Sequence, residues 1–563
     1  MKNKKEKLPL ERGKVSLGNK LAFACGDIFG GGSFNIINFL FTPFLTLVVG
    51  IPMVLLTPIL LLTKIWDGII DPFIGKITDA KTPGRFGKRR FFMLICAPLV
   101  LVGFILLFFP WNLITNSVAL KCVFVVLVYM MYATAQSFVL IPYYSHASEM
   151  TDDFNERNNT NAVRLAFSIL SSLICVAVPG IIASPTKGDN GVSYIVMAAS
   201  FGFIFTVSIL VTALFSREQV VTPAVKTKFN LKEFVRPLKM GTYRRYLGMQ
   251  MCASFGMAVM SSFFFTFCDF YLRSGTYRAA TEIGEAASRF PIATIAAAAM
   301  FAAQIVALPI YLKLIKWKSK RFAYITGAIV WMAVAAVMIL LPGETVAPTI
   351  TQALNAKGET IFKITTVSGA PNFLIIIFGL LLGLGIGGTV FVPHSSFGDV
   401  CDVGELYFGE RAEGSFSGLT NFLNTTAQAI GLAIPPLIIG FTGYVETQYR
   451  TAEEYGNLLG ATAQEQIDNL GMAWENFKIS EGNGNYQFLP LSQPEAAQWA
   501  IRLTFILLPI VILAFAIWIA SRYKLTSKLQ KQVVELNLRE DKDSEEFLQA
   551  KNKVLAELGE RIK

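Results

Sequence analysis

The chain has 563 residues, of which 53% are apolar and only 16% charged, with a mean hydropathy of +0.50. About a quarter of the residues of an average soluble domain are charged, so a water-soluble globular protein is excluded and lipid is the solvent that suits this composition. The net charge of +11 does not indicate a nucleic-acid partner. The Lys and Arg residues sit in short segments beside apolar runs, the pattern of loops retained on the cytoplasmic side of a membrane.

A spanning helix needs about 20 apolar residues, and the pattern predicts twelve. In chain order, helices 1 to 6 are expected at about 21–49, 53–77, 91–109, 120–146, 162–182 and 194–214. Helices 7 to 12 follow at about 247–272, 291–314, 322–341, 373–397, 414–441 and 500–521. The basic segments 2–20, 76–90, 217–245, 313–321 and 522 onward alternate with connections nearly free of cations, such as 110–117 and 183–193. This asymmetry places both termini in the cytoplasm and the protein in the plasma or inner membrane as a multi-pass chain.

The expected organisation begins with a cytoplasmic segment, 1–20, which has no cleavable signal architecture. A six-helix bundle at 21–215 and a cytoplasmic linker at 216–245 follow. A second six-helix bundle at 246–522 carries long outer loops at 342–372 and 442–498, and a cytoplasmic amphipathic tail occupies 523–563. All seven cysteines fall inside apolar runs without disulfide or metal spacing and read as small buried hydrophobes.

The two halves echo each other. Gly84-Arg85-Phe86-Gly87-Lys88-Arg89-Arg90-Phe91 joins helices 2 and 3, and Trp317-Lys318-Ser319-Lys320-Arg321-Phe322 joins helices 8 and 9. Ile141-Pro142-Tyr143-Tyr144-Ser145 in helix 4 has its counterpart in Val392-Pro393-His394-Ser395-Ser396 of helix 10. Two parallel six-helix repeats describe an all-α integral membrane protein of the major facilitator fold.

The chemistry concentrates on helix 2, in Lys64-Ile65-Trp66-Asp67-Gly68-Ile69-Ile70-Asp71-Pro72. Asp67 and Asp71 are one helical turn apart and share a face. A charge at bilayer depth is costly unless it faces a polar cavity or a partner. Two adjacent carboxylates therefore call for a neutralising Na⁺ or a shared proton, which is the physical basis of a coupling site. The competing reading pairs Lys64 with Asp67 and leaves Asp71 unexplained.

The stretch 20–91 resembles the start of melibiose permease-like proteins, the glycoside–pentoside–hexuronide:cation symporters. The matching residues are Gly26-Asp27, Val48-Val49-Gly50, Lys64-Ile65-Trp66-Asp67, Asp71-Pro72, Gly75 and Gly87-Lys88. The pattern continues in Ile141-Pro142-Tyr143-Tyr144, Glu149-Met150-Thr151, Asn155-Glu156-Arg157 and Arg164, and returns in Asp399, Asp402, Gly404-Glu405 and Arg411-Ala412-Glu413. The resemblance implies a transporter, not an enzyme. It implies cation ligands at Asp67, Asp71 and Ser137, with Na⁺, Li⁺ or H⁺ as coupling ion and no other cofactor. It also implies Arg164 near the substrate. The two aspartates that hold galactosides in melibiose permeases fall here on Gly31 and Leu140, the helix 11 lysine on Thr425 and a helix 10 tryptophan on Val390, so a melibiose-like substrate is not expected.

Other polar residues are candidates to replace that clamp: Asp27 and Asn35 of helix 1, Tyr143 and Tyr144 of helix 4, His394 of helix 10, and Thr420, Asn421, Asn424 and Thr425 of helix 11. Neutral amides and hydroxyls suit sugar hydroxyls; helix–helix hydrogen bonding is the competing role. Arg85, Arg157, Asp399, Asp402, Glu405 and Arg411 are expected to form a cytoplasmic gate. The functional expectation is a monomeric cation:sugar or glycoside symporter embedded in lipid. An organic-anion, hexuronide or amphiphile symporter is the alternative. A membrane-embedded enzyme is disfavoured, because His146 and His394 are the only histidines and neither lies in a metal-spaced cluster. A sensor is disfavoured by the intact carboxylate pair.

Overall fold

The computed structural model describes residues 15–82, 87, 89–150, 154–183, 191–216, 231–272, 292–341, 349–354, 360–365, 372–409, 413–444, 448–451, 485–488, 493–539 and 544–560. Among them, twelve helices are long and apolar enough to cross a membrane. A helix satisfies its own backbone polar groups, as the bilayer interior requires. The first six are α1 (Leu17–Val48), α2 (Met53–Ala80), α3 (Arg90–Leu107), α4 (Val118–Met150), α5 (Phe154–Ala177) and α6 (Val192–Phe215). The second six are α7 (Gly241–Phe267), α8 (Ile292–Trp317), α9 (Lys320–Met338), α10 (Asn372–Phe408), α11 (Glu413–Gly440) and α12 (Glu495–Ser521). An even number of crossings brings both chain ends to one face, called here the terminal face.

The halves meet along α2 with α11, α1 with α7 and α5 with α8. Near the face opposite the termini this seam is tight. Thr42 and Ser262 share a buried hydrogen bond of 2.9 Å, and Thr57 donates to the Ala433 carbonyl at 2.9 Å. Phe39 of α1 packs edge-on against Phe264, Phe265 and Phe301 of the other half. Gly440 is a glycine by necessity, since a Cβ there would stand 2.9 Å from the Val54 backbone nitrogen. Toward the terminal face, by contrast, α4 and α10 form no packed pair over their described lengths, and Tyr144, His394 and Asn421 are accessible to solvent.

Three elements differ from the sequence expectation. First, α10 runs on to Phe408, so Asp399, Asp402 and Glu405 lie within the helix rather than beyond it. Charge reads as loop in a sequence, but a helix leaving the bilayer keeps turning when its charges find partners. Second, the long loops contain short antiparallel pairs, β1 (Thr349–Leu354) with β2 (Thr360–Thr365) and β3 (Gln448–Thr451) with β4 (Asn485–Phe488). Third, the amphipathic tail is two helices rather than one, α13 (Ser527–Leu538) and α14 (Glu545–Leu558), and their apolar faces are buried against the bundle.

The docking follows from the amphipathic pattern. Leu529, Val533 and Leu536 of α13 and Phe547, Val554, Leu555 and Leu558 of α14 are buried in one cluster with Tyr243, Val403 and Tyr523. Thr526 and Ser544 cap the two helices by accepting from Leu529 N and Phe547 N. Past the end of α14, the buried Glu560 carboxylate accepts from the backbone nitrogens of Gly241 (2.7 Å) and Thr242 (2.6 Å). These are unsatisfied donors of the first turn of α7, where a negative charge also suits the helix dipole.

Candidate cation and substrate site

Asp67 and Asp71 lie on α2, roughly 14–20 Å from its terminal-face end at 1.5 Å rise per residue. Their spacing aims both carboxylates at α4. There the Ser137 hydroxyl stands 2.6 Å from Asp71 Oδ1 and 3.4 Å from Asp67 Oδ1, bridging the pair. One turn away the buried Lys64 ammonium lies 3.7 Å from Asp67 Oδ2 and 4.5 Å from the centre of the Phe34 ring. The indole of Trp66 donates to Thr134 Oγ1 at 3.0 Å and fixes α2 against α4 beside the pair. Pro72 has no N–H to give the Gly68 carbonyl, so that carbonyl lacks its usual donor four residues on.

A third contact comes from the other half: Asn421 Nδ2 of α11 is 3.5 Å from Asp71 Oδ2. The two carboxylates therefore have different partners, Lys64 for Asp67, and Ser137 with Asn421 for Asp71. One ammonium against two carboxylates leaves the cluster one positive charge short. At bilayer depth an unbalanced carboxylate costs about 2.5–3.5 kcal/mol on insertion scales.

A second polar group is built by α1, α4 and α5. Asp27 is 3% exposed, and its Oδ2 lies 3.9 Å from Arg164 Nε of α5. The Arg164 guanidinium sits 5.1 Å from the centre of the Tyr144 ring, and Tyr144 is 47% exposed. Gly30 makes this meeting possible, because a Cβ there would come within 2.6 Å of Asp27 Oδ1 and 3.2 Å of the Tyr144 hydroxyl. His394 of α10 bonds its own helix at the Val390 carbonyl, 2.8 Å away.

Several candidates are placed elsewhere. Tyr143 is 1% exposed; it donates to the Phe23 carbonyl at 3.0 Å and stacks on the Phe23 ring, so it holds α4 to α1. Asn35 donates to the Gly31 carbonyl of its own helix at 2.7 Å. Thr420 shares a 3.0 Å hydrogen bond with Tyr243 of α7. Asn424 and Thr425 are partly buried on α11, and Asn424 Oδ1 has no hydrogen-bond partner among the described residues.

The gate candidates divide within one half. Asp399 pairs with Lys320 at 2.5 Å. The Asp402 carboxylate accepts from Gln530 at 2.8 Å, and its carbonyl from Asn537 at 2.9 Å. Glu405 is partly buried on α10. Arg85, Arg411 and the side chain of Arg157 lie outside the described residues. What the sequence did not reveal was the set of long-range partners: Asn421 for Asp71, and the tail amides for Asp402. Trp66, adjacent to Asp67, was the one local signal for the tether to Thr134.

Twelve membrane-length helices packed as two halves around polar groups at bilayer depth define a multi-pass membrane transporter of the major facilitator kind. The chain belongs to the family described as MFS/sugar transport protein, whose pattern it matches over residues 22–463. It is 24% identical over 511 residues to the uncharacterized symporter sll1374 of Synechocystis sp., covering 77% of this chain and 87% of that one. It is 23% identical over 444 residues to the glucuronide carrier protein homolog of Escherichia coli, covering 77% and 85% respectively. Among solved structures, the nucleoside transporter NupG superposes with a TM-score of 0.55 at 10% identity, covering 89% of this chain and 99% of that one. Relatives and fold alike are those of transporters, not enzymes.

Proposed function

We propose that this protein is a cation-coupled symporter of a sugar or glycoside, working by alternating access between its two halves. One observation carries the reading: the Lys64, Asp67, Asp71 and Ser137 cluster lacks one positive charge. Sodium, lithium or a proton supplies it. Na⁺ or Li⁺ would take hard oxygen ligands from the two carboxylates and the serine hydroxyl. A cation that binds only when the carboxylates are suitably aimed biases the halves toward one arrangement, and a substrate that prefers the same arrangement is coupled to it.

The terminal face is assigned to the cytoplasm by its Lys and Arg content. With the opposite seam closed by Thr42–Ser262 and the Phe39 cluster, the polar groups would then be reached from inside the cell. That arrangement is inward-facing, with the seam closed on the outer side.

For the substrate, the accessible Tyr144 ring offers a stacking face, and Arg164 and Asn424 offer hydrogen bonds. Asp27 already balances the Arg164 charge, which favours a neutral polyhydroxylated ligand. A uronide is the second reading. It is supported by the Arg164 guanidinium beside the accessible Tyr144 ring and by the printed name of the Escherichia coli relative. The test is uptake into proteoliposomes, with imposed Na⁺ or H⁺ gradients and a panel of neutral glycosides and uronates. Gradient-driven accumulation of a glycoside is the expected result, and Arg164→Ala should harm uronate uptake far more than neutral uptake. Uptake indifferent to every cation gradient would contradict coupling.

A further inference from the structure

The cation cluster as read from α2 and α4 belongs wholly to the N-terminal half. Yet a polar group from across the seam, the Asn421 amide, lies 3.5 Å from Asp71 Oδ2, the carboxylate oxygen that neither Ser137 nor Lys64 contacts. The backbone here brings α2 and α11 into direct contact. Gly68, which directly follows Asp67 and precedes Asp71 by three residues, is so close to Phe422 that a Cβ would stand 3.3 Å from the ring. The Asn421 side chain is nevertheless exposed, so packing does not fix the rotation of its amide.

We propose that Asn421 is the cation ligand contributed by the C-terminal half, so that the cation site spans both halves and closes the α2–α11 seam when loaded. This inference rests on the reading of Asp67 and Asp71 as the cation site. An amide presents an N–H on one side and a carbonyl on the other at nearly the same reach. Its N–H suits a bare carboxylate. Beside a bound cation the same N–H is repelled, and a half-turn of the amide brings Oδ1 to the ion. The ligand oxygens are then those of Asp67, Asp71 and Ser137 from one half and Asn421 from the other, a set suited to Na⁺ or Li⁺. Thr425, which stands where the resemblance places a helix 11 lysine, brings no charge, so a neutral ligand on α11 keeps the cluster one charge short until the ion arrives. A ligand shared between two moving bodies converts ion occupancy into a preference for one arrangement of those bodies.

The experiment uses the purified full-length protein and titrates Na⁺ and Li⁺ by calorimetry, with thermal unfolding in choline chloride as the structural readout. Asn421→Leu is expected to weaken cation binding about tenfold, the scale of one lost bond to a charged group, while its melting temperature in choline stays that of the unmodified protein. Asn421→Asp restores an oxygen and is expected to bind the ion at least as tightly as the unmodified protein. A residue that merely braces the helices would do the opposite: Asn421→Leu would melt earlier in choline and leave the cation constant unmoved, which overturns the proposal. Asp71→Asn separates the two readings. If it abolishes ion binding while Asn421→Leu does not weaken it, this inference fails and the cation site stands. If the unmodified protein binds neither ion, this inference fails and the carboxylate pair is left to a proton; if Asp71→Asn binds the ion normally, both readings fail.

Discussion

The Ser137 hydroxyl lies 2.6 Å from Asp71 Oδ1, across the interface between α4 and α2. It is the shortest tie on the carboxylate pair and it acts on the aspartate that Lys64 does not reach. If Ser137 also supplies an oxygen to a bound cation, Ser137→Ala should weaken cation affinity about tenfold, the scale of a lost bond to a charged group. Ser137→Thr should keep most of the affinity. Equilibrium binding of Na⁺ or Li⁺ to the purified variants measures both, and an unchanged constant in Ser137→Ala would remove serine from the ligand set.

Lys64 is buried, and its ammonium is 3.7 Å from Asp67. Replacing it by Leu leaves two carboxylates with no ammonium. Removing one partner of a buried pair costs about 3–5 kcal/mol, so Lys64→Leu should melt markedly earlier than the unmodified protein. Saturating Na⁺ should then raise its melting temperature by more than it raises that of the unmodified protein, because the ion now relieves a larger charge deficit. Equal Na⁺ stabilisation of both proteins would place the ion away from this cluster.

The tail is tested through Glu560, whose carboxylate closes the first turn of α7. Glu560→Ala should destabilise the protein by about 0.5–2 kcal/mol, the range of a lost helix cap. Cation affinity should stay the same, since every described contact of the tail named above is with the C-terminal half. A melting curve identical to that of the unmodified protein would show that the carboxylate is not holding the tail.

Much of this was legible in the sequence, for reasons that differ by residue. The twelve spans follow from hydropathy, because lipid allows few alternatives. Asp67 and Asp71 stood out because an i, i+4 carboxylate pair at bilayer depth has no cheap explanation, and Ser137 was placed beside them by resemblance; the fold brings all three together. Lys64 was already the competing partner, and it does pair with Asp67. Asn421 was read as one member of a polar stripe. Its meeting with Asp71 depends on how two halves dock over 350 positions of sequence, which no local pattern encodes. Tyr143 and Tyr144 are adjacent and chemically alike, and only the packing of Phe23 decides that the first is buried and the second accessible. The tail's amphipathic spacing revealed a sticky face but not the surface it covers.

The central claim is that Asp67 and Asp71 bind the ion whose gradient drives uptake. The most direct measurement is cation-driven accumulation in proteoliposomes containing Asp71→Asn, alongside substrate exchange without a gradient. The substitution removes one charge and keeps the size, so the cluster is already balanced by Lys64 without an ion. Gradient-driven accumulation should be abolished while exchange survives in part, because the substrate's contacts at Tyr144 and Arg164 are untouched. Cation and substrate should also no longer tighten each other's binding, since that coupling is reciprocal. Undiminished cation-driven accumulation by the Asp71→Asn protein would contradict the account.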